Sequence, residues 1–251
     1  MVDFYSHEQQ DEFIYNLFKQ KQNGTFLDIA SGHPLIGSNT NTLEKSLGWT
    51  GYGFDICDNE KIHQWSQHRK TPFVQMDATS EQLTTFLKNT TNKTVDYISV
   101  DVDNAGTNLA LQTLNRVLDA GIRFRAMTFE HECYTQGPAI RNQAAYLLES
   151  QGYIPLFSDV RHWTGGISDD SGFTFEDWWV DPKEFDSATL AAGGHGFYYY
   201  ECIEALKAAT GNIYQAHHRC CRAWGEEYDL FWHPEEERQI RQLVSQMVLE
   251  R

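Results

Sequence analysis

Apolar positions along the chain follow two alternating periodicities. Short apolar runs at 25–30, 51–55, 72–77, 95–101 and 123–129 read as buried strands, and the segments 40–47, 59–68, 80–88 and 107–120 between them carry helical spacing. Ahead of the first strand, Phe13, Ile14, Leu17 and Phe18 recur at the interval of one helix face, which predicts an amphipathic helix within 8–22. A helix at 139–151, a strand at 153–160 and a strand at 173–180 complete the pattern. The Gly- and Asp-rich connection before the last strand suits a hairpin with a protruding loop, so that strand is expected to be antiparallel. Strands alternating with helices predict an α/β fold: a mostly parallel sheet of seven strands with helices on both faces.

Beyond Asp181-Pro182 the alternation stops. Gly193-Gly-His-Gly196 reads as a flexible break, 197–209 as a helix, and 235–249 as a charged helix with Ile240, Val244, Met247 and Val248 as its apolar stripe. The chain therefore divides into a domain over 1–182 and a helical extension over 183–251. This last third is rich in aromatic residues, among them Trp178, Trp179, Tyr198, Tyr199, Tyr200, Trp224, Phe231 and Trp232. Such residues suit a core and a subunit interface, as in a homodimer, or a cap over the sheet's open edge.

Composition narrows the partners. Of the 251 residues 41% are hydrophobic and 14% aromatic, enough to build a packed core. A formal charge of −15 argues against a surface that tracks nucleic-acid phosphates, which would gather Lys and Arg. No apolar run is long enough to cross a membrane. The first residues carry neither a basic segment nor an apolar run, and five scattered cysteines form no disulfide or zinc pattern, so a reducing cytoplasm is expected.

The chemistry gathers at strand ends. Residues 24–40 read as a strand that runs into a loop holding Gly32 and Gly37 and then into a helix, an arrangement that cradles a ligand. Four strands end in an acid: Asp28, Asp55, Asp77 and Asp101. In a parallel sheet those ends form the ligand crevice, although aspartate also suits the turns that follow strands. An aspartate at the glycine loop would repel a phosphate, and neither G-x-G-x-x-G nor G-x-x-x-x-G-K-[ST] occurs.

With Leu27-Asp-Ile, Gly37-Ser-Asn-Thr-Asn-Thr-Leu-Glu44, Leu47-Gly-Trp-Thr-Gly51 and Asp96-Tyr-Ile-Ser-Val-Asp-Val-Asp103, the chain resembles a class I S-adenosylmethionine-dependent methyltransferase of the FkbM type over about residues 24 to 182. The resemblance implies a Rossmann-like methyltransferase sheet and S-adenosylmethionine as cofactor. It places Asp28 and Gly32 at the aminoacyl part, whose positive groups welcome a carboxylate. Asp55 would accept from the ribose hydroxyls, and Asp77-Ala78 would face the adenine. Ser38 and Asn39 would cap a helix or reach the cofactor, and Asp101 would join the residues that bind it. Two departures stand out: His33-Pro34 replaces a small residue in the loop, and Asp55 replaces the usual glutamate.

The reacting end is expected where Asp101-Val-Asp103-Asn104 meets Glu130-His-Glu132. Two mechanisms remain open. In one, His131 or a carboxylate such as Asp103 or Glu130 takes the proton of a substrate hydroxyl. In the other, Mg²⁺ or another divalent cation on Asp101, Asp103 and Glu130 binds that hydroxyl and lowers its pKa. The acceptor implied by the resemblance is a hydroxyl on a sugar, a glycan or a small metabolite, and the activity is O-methylation. The rival readings are a non-catalytic binding protein on the same fold and a nicotinamide-dependent oxidoreductase, the latter lacking its glycine fingerprint.

Overall fold

The computed structural model describes residues 1–56, 59–90, 92–162, 174–212, 214–221 and 230–231. In chain order the elements are β1 (Val2–Phe4), α1 (Gln10–Leu17), β2 (Thr25–Ile29), α2 (Asn41–Leu47), β3 (Thr50–Asp55), α3 (Asn59–His68), β4 (Phe73–Gln75) and α4 (Glu81–Thr90). There follow β5 (Thr94–Val100), α5 (Leu109–Asp119), β6 (Arg123–Glu130), α6 (Cys133–Gln136), α7 (Ala139–Ser150), β7 (Ile154–Arg161) and β8 (Thr174–Val180). The last are α8 (Ser187–Ala191), β9 (Gly194–His195), α9 (Tyr199–Thr210), β10 (Ala216–Cys221) and β11 (Leu230–Phe231).

The main sheet runs β4-β3-β2-β5-β6-β8-β7-β9. Strands β4, β3, β2, β5 and β6 are mutually parallel, and β8 runs antiparallel to both β6 and β7. This is the Rossmann-like α/β sheet expected from the sequence, with the antiparallel strand where the hairpin reading puts it. The sheet has eight strands among the described residues rather than seven, because β9 adds to its edge in parallel with β7. The sequence reading took this glycine segment for a flexible break. The glycines serve close approach instead: a Cβ on Gly193 would lie 2.3 Å from the Leu156 carbonyl oxygen, and one on Gly194 would lie 2.2 Å from Phe197.

Helices cover both faces, and each face has its own core. Leu27, Phe54, Ile98, Leu114, Met127 and Trp179 belong to one, and Phe13, Leu17, Phe26, Tyr97, Phe157 and Trp178 to the other. Adjacent Trp178 and Trp179 thus fill opposite sides of β8, as the two-residue period of a strand requires. Burying side chains of this size stabilises the fold by about 1.5–3 kcal/mol each.

The chain's two ends meet. β1 pairs in parallel with β10, which pairs antiparallel with β11. Below them the buried Glu12 of α1 takes Arg219 at 2.7 and 2.8 Å and Lys207 at 3.1 Å. Burial opposes that charge, but the two cations overcome it and hold the carboxyl at about 2. The segment from 183 to 221, read from sequence as extension, is therefore tied to the N-terminal helix. The helix expected at 235–249, and Trp224 and Trp232, lie outside the described residues. Among the described residues no helix is long and apolar enough to cross a membrane.

Candidate active site

The glycine loop leaves β2 by two left-handed turns, at Ala30 (φ 60°) and Gly32 (φ 57°). Nothing lies within 4 Å of where a Cβ on Gly32 would sit, so the loop backbone opens onto space that a ligand can fill. The Gly32 N–H donates to Asp55 Oδ2 at 2.9 Å, and Ser31 N–H donates to the Phe54 carbonyl at 2.9 Å. The loop is thereby fixed to the end of β3. Further on, His33 Nδ1 accepts from the N–H groups of Leu35 (3.1 Å) and Ile36 (3.0 Å), closing the loop on its own side chain. Ser38 Oγ accepts from Asn41 N–H at 3.2 Å, which makes it a helix-start residue.

Asp28 is buried within β2, and its Oδ2 accepts from Thr40 Oγ1 at 2.6 Å. Burial raises its pKa to about 7, against the pull of Thr40 and Arg69. Arg69 was missed in the sequence reading, having no motif around it. Its fully buried guanidinium donates to Glu44 (2.7 Å), the Pro34 carbonyl (3.2 Å), Ser38 Oγ (3.0 Å) and Thr40 Oγ1 (2.8 Å), and lies 4.6 Å from the Trp65 ring centre. One cation thus organises the loop, the start of α2 and the Asp28 hydroxyl partner together.

The remaining residues expected to hold the cofactor differ in their engagement. Asn39 Nδ2 donates to Ser99 Oγ at 3.0 Å and Asp101 Oδ2 at 3.3 Å, joining the start of α2 to the end of β5. Asp77 is exposed and its Oδ1 accepts from Thr79 N–H (2.8 Å) and Thr79 Oγ1 (2.7 Å), a turn-forming use. Ala78 packs half-buried against the core.

At the reacting end the structure brings Asp101 and Glu130 together. Burial first, and then the nearby Asp101 carboxyl through its charge and a hydrogen bond, push the Glu130 carboxyl well above its ordinary value. A third acid, Glu176 of β8, went unnoticed in the sequence. It accepts from Gln10 Nε2 at 3.0 Å and from Trp178 Nε1, and burial, helped by Asp101, raises it to about 8. Asp103 is exposed, whereas Glu132 Oε2 accepts from Asn104 N–H at 2.7 Å.

His131 does not join this group. It is fully buried, its Nδ1 accepts from Cys133 N–H at 3.1 Å, and its Nε2 stands 3.7 Å from Asp177 Oδ1. Asp177 and Glu176, neighbours on β8, face opposite sides of the sheet: Asp177 meets Arg141 of α7 at 2.9 Å, while Glu176 meets Gln10 of α1. His131 therefore belongs to the far side.

The metal expectation also needs correcting. Among the described residues the only acid, histidine or cysteine set with ligand atoms all within 4.8 Å of one another is His131, Asp159 and Asp177, not Asp101, Asp103 and Glu130. Even that set is ill suited to a cation. With Nδ1 accepting an N–H, the ring proton sits on Nε2, and Arg141 already bridges Asp159 (3.1 Å) and Asp177 (2.9 Å).

No family model and no curated protein matches the chain, so the FkbM type stays a resemblance carried by its motifs. Solved structures do match in part. A TehB-like S-adenosylmethionine-dependent methyltransferase of Corynebacterium glutamicum is 15% identical, covering 71% of this chain and 88% of its own at a TM-score of 0.46. The magnesium protoporphyrin IX methyltransferase of Synechocystis, solved with S-adenosylmethionine, is 13% identical over 68% and 77% of the two chains, with a TM-score of 0.42. The plantazolicin methyltransferase, in complex with S-adenosylhomocysteine, is 15% identical over 69% and 82%, with a TM-score of 0.41.

Proposed function

We propose that this protein is an S-adenosylmethionine-dependent methyltransferase acting on a hydroxyl oxygen of a sugar, a glycan or a small metabolite. One observation carries the reading: the open glycine loop is tied by Gly32 to Asp55 and by Asn39 to Asp101, so acids from β3 and β5 flank one cradle beside the buried Asp28. The residues fit the cofactor. Carboxylates at Asp28 and Asp101 favour its ammonium and sulfonium groups, and Asp55 has acceptor capacity for ribose hydroxyls. When bound, it supplies a methyl group on a positively charged sulfur.

The acidic surroundings of the reacting end favour a small, uncharged or cationic acceptor over a nucleic acid, consistent with the net charge of −15. We place the protein in the cytoplasm, in keeping with Cys133 and Cys202 both being free thiols. The decisive test is calorimetry of the purified protein with S-adenosylmethionine and S-adenosylhomocysteine, followed by transfer from labelled cofactor to hydroxyl acceptors. Absence of binding to either compound overturns the methyltransferase reading and leaves a non-catalytic binding protein. Transfer confined to nitrogen or carbon acceptors overturns the oxygen assignment alone.

A further inference from the structure

His162, the residue after β7, is hydrogen-bonded through Nδ1 to the Glu8 carboxylate. We propose that this pair is the general base of the transfer, with His162 Nε2 taking the proton of the acceptor hydroxyl and Glu8 holding the ring in place. The proposal rests on the hydroxyl-methylation reading above.

Placement is the first argument. β7 is parallel to the strands that carry the acids, because it is antiparallel to β8, so its end reaches the same carboxyl edge. Glu8 is drawn to that edge from the N-terminal segment. Its N–H donates to Gln10 Oε1 at 3.1 Å, and Gln10 Nε2 donates to Glu176 Oε1 at 3.0 Å. The same segment bridges to the glycine loop at Ser6 and Gly37. Asp101 is near enough to act on the charges of Glu8, Glu130 and Glu176 alike, and it accepts from Asn39 at the cofactor loop. The His162–Glu8 pair thus stands at the same sheet edge as these acids, with Glu8 within reach of the Asp101 charge.

Orientation is the second. A carboxylate on Nδ1 fixes the tautomer with the proton on that nitrogen, which leaves the Nε2 lone pair to accept another. The His162 side chain is 17% exposed and that of Glu8 12%, so the ring is mostly shielded from water yet reachable. Burial works against a charged His162, but the hydrogen bond and charge of Glu8 overcome it and hold its pKa above the ordinary value. Burial raises Glu8 in turn while His162 pulls it down.

Elimination is the third. Glu130 and Glu176 both have raised pKa values, Glu176 at about 8, which favours their protonated forms. His131 is buried on the opposite side of the sheet, and His33 Nδ1 is occupied by two loop N–H groups. In the proposed step the acceptor O–H bond breaks and its proton passes to Nε2. The electron pair left on oxygen forms the new C–O bond to the methyl group, and the pair of the broken C–S bond remains on sulfur, cancelling its positive charge. The imidazolium that results is compensated by Glu8.

The test has a spectroscopic and a kinetic arm. ¹⁵N-histidine spectra of the full chain, with His162→Gln used to assign the ring, are expected to show neutral His162 protonated on Nδ1. Its titration midpoint should fall in Glu8→Gln. A ring protonated on Nε2, or a midpoint unmoved by Glu8→Gln, overturns the pair. Kinetically, labelled S-adenosylmethionine is offered with methyl glycosides, whose hydroxyls must lose a proton, and with 4-nitrocatechol at a pH where it is already ionised. His162→Gln should slow transfer to the glycosides by about a hundredfold or more, with little change for the ionised phenol and unchanged calorimetric binding of S-adenosylhomocysteine. Glu8→Gln should follow it with a smaller loss. Equal rates for His162→Gln and the unmutated chain on the glycosides overturn the base assignment while leaving the methyltransferase reading standing. If the unmutated chain binds the cofactor but methylates no hydroxyl, the hydroxyl reading itself fails, and the base assignment fails with it.

Discussion

The Gly32 N–H donates to Asp55 Oδ2 at 2.9 Å, so the acid at the end of the second main-sheet strand also pins the loop that leaves the first. Asp55 thus shapes the cradle, and under the proposed reading it also accepts from the ligand. Asp55→Ala should weaken S-adenosylhomocysteine binding by about 1–3 kcal/mol in calorimetry, the scale of lost hydrogen bonds to a charged acceptor. Asp55→Asn, which can still accept through its carbonyl, should lose less. Equal losses from both would mean that Asp55 acts through its charge.

Arg69 offers a test of how the cradle is built. Its guanidinium is fully buried and its partners come from the loop and from α2. Arg69→Met leaves Glu44 facing an apolar side chain and should cost about 3–5 kcal/mol in denaturant unfolding, as for other broken buried pairs. Arg69→Lys should recover only part of this, because a single ammonium cannot bond Glu44, Ser38 and Thr40 at once. A loss below 1 kcal/mol for Arg69→Met would show that the loop does not depend on it.

Two site acids have raised values, about 7 for Asp28 and about 8 for Glu176, both chiefly through burial. The folded chain holds protons there that the unfolded chain releases near 4, so stability from these groups is full below that range. It declines as pH rises towards about 8. A positive ligand reverses the balance by favouring the ionised forms. Near pH 7, S-adenosylmethionine binding should release protons, and more of them than S-adenosylhomocysteine, which lacks the sulfonium charge. Calorimetry in buffers of different ionisation enthalpy measures the difference, and equal release for the two compounds would place these acids out of range of the sulfur.

Strands β2 to β8 and the helices α1 to α5, α7 and α9 were legible in the sequence because each rests on local spacing. Of the four acids expected at strand ends only Asp55 ends its strand, Asp28 lying inside β2 and Asp77 and Asp101 beyond β4 and β5. Asp55 and Asn39 follow from that local logic. Glu176, Arg69 and the Glu8–His162 pair do not, because their partners lie far away along the chain: Gln10 and Glu176 are separated by 166 positions, and Arg69 and Thr40 by 29. His131 misled for a related reason. Adjacent residues at a strand end point to opposite sides of the sheet, so sitting beside Glu130 placed its ring with Asp177. β9 was unreadable because a two-residue strand held by glycines has no periodicity to detect.

His131 supplies the last prediction. Were it the base, or a metal ligand, its replacement would abolish transfer. The structure instead buries the ring against Asp177, which Arg141 and the Asp159 N–H also contact, at 2.9 and 2.7 Å. Its surroundings are those of a buried structural residue, with polar contacts to Cys133 N–H and to the Asp177 carboxylate. His131→Asn should therefore lower unfolding stability by about 1–3 kcal/mol, the usual penalty for disturbing a buried hydrogen-bonded group. The rate per folded molecule should stay within a few-fold of the unmutated chain's. Since Asp101, Asp103 and Glu130 form no close ligand set among the described residues, EDTA should leave transfer unchanged and added Mg²⁺ should not raise it. Loss of transfer in His131→Asn at full folded population, or rescue of an EDTA-treated sample by Mg²⁺, would return the reacting centre to the His131 side or to a metal.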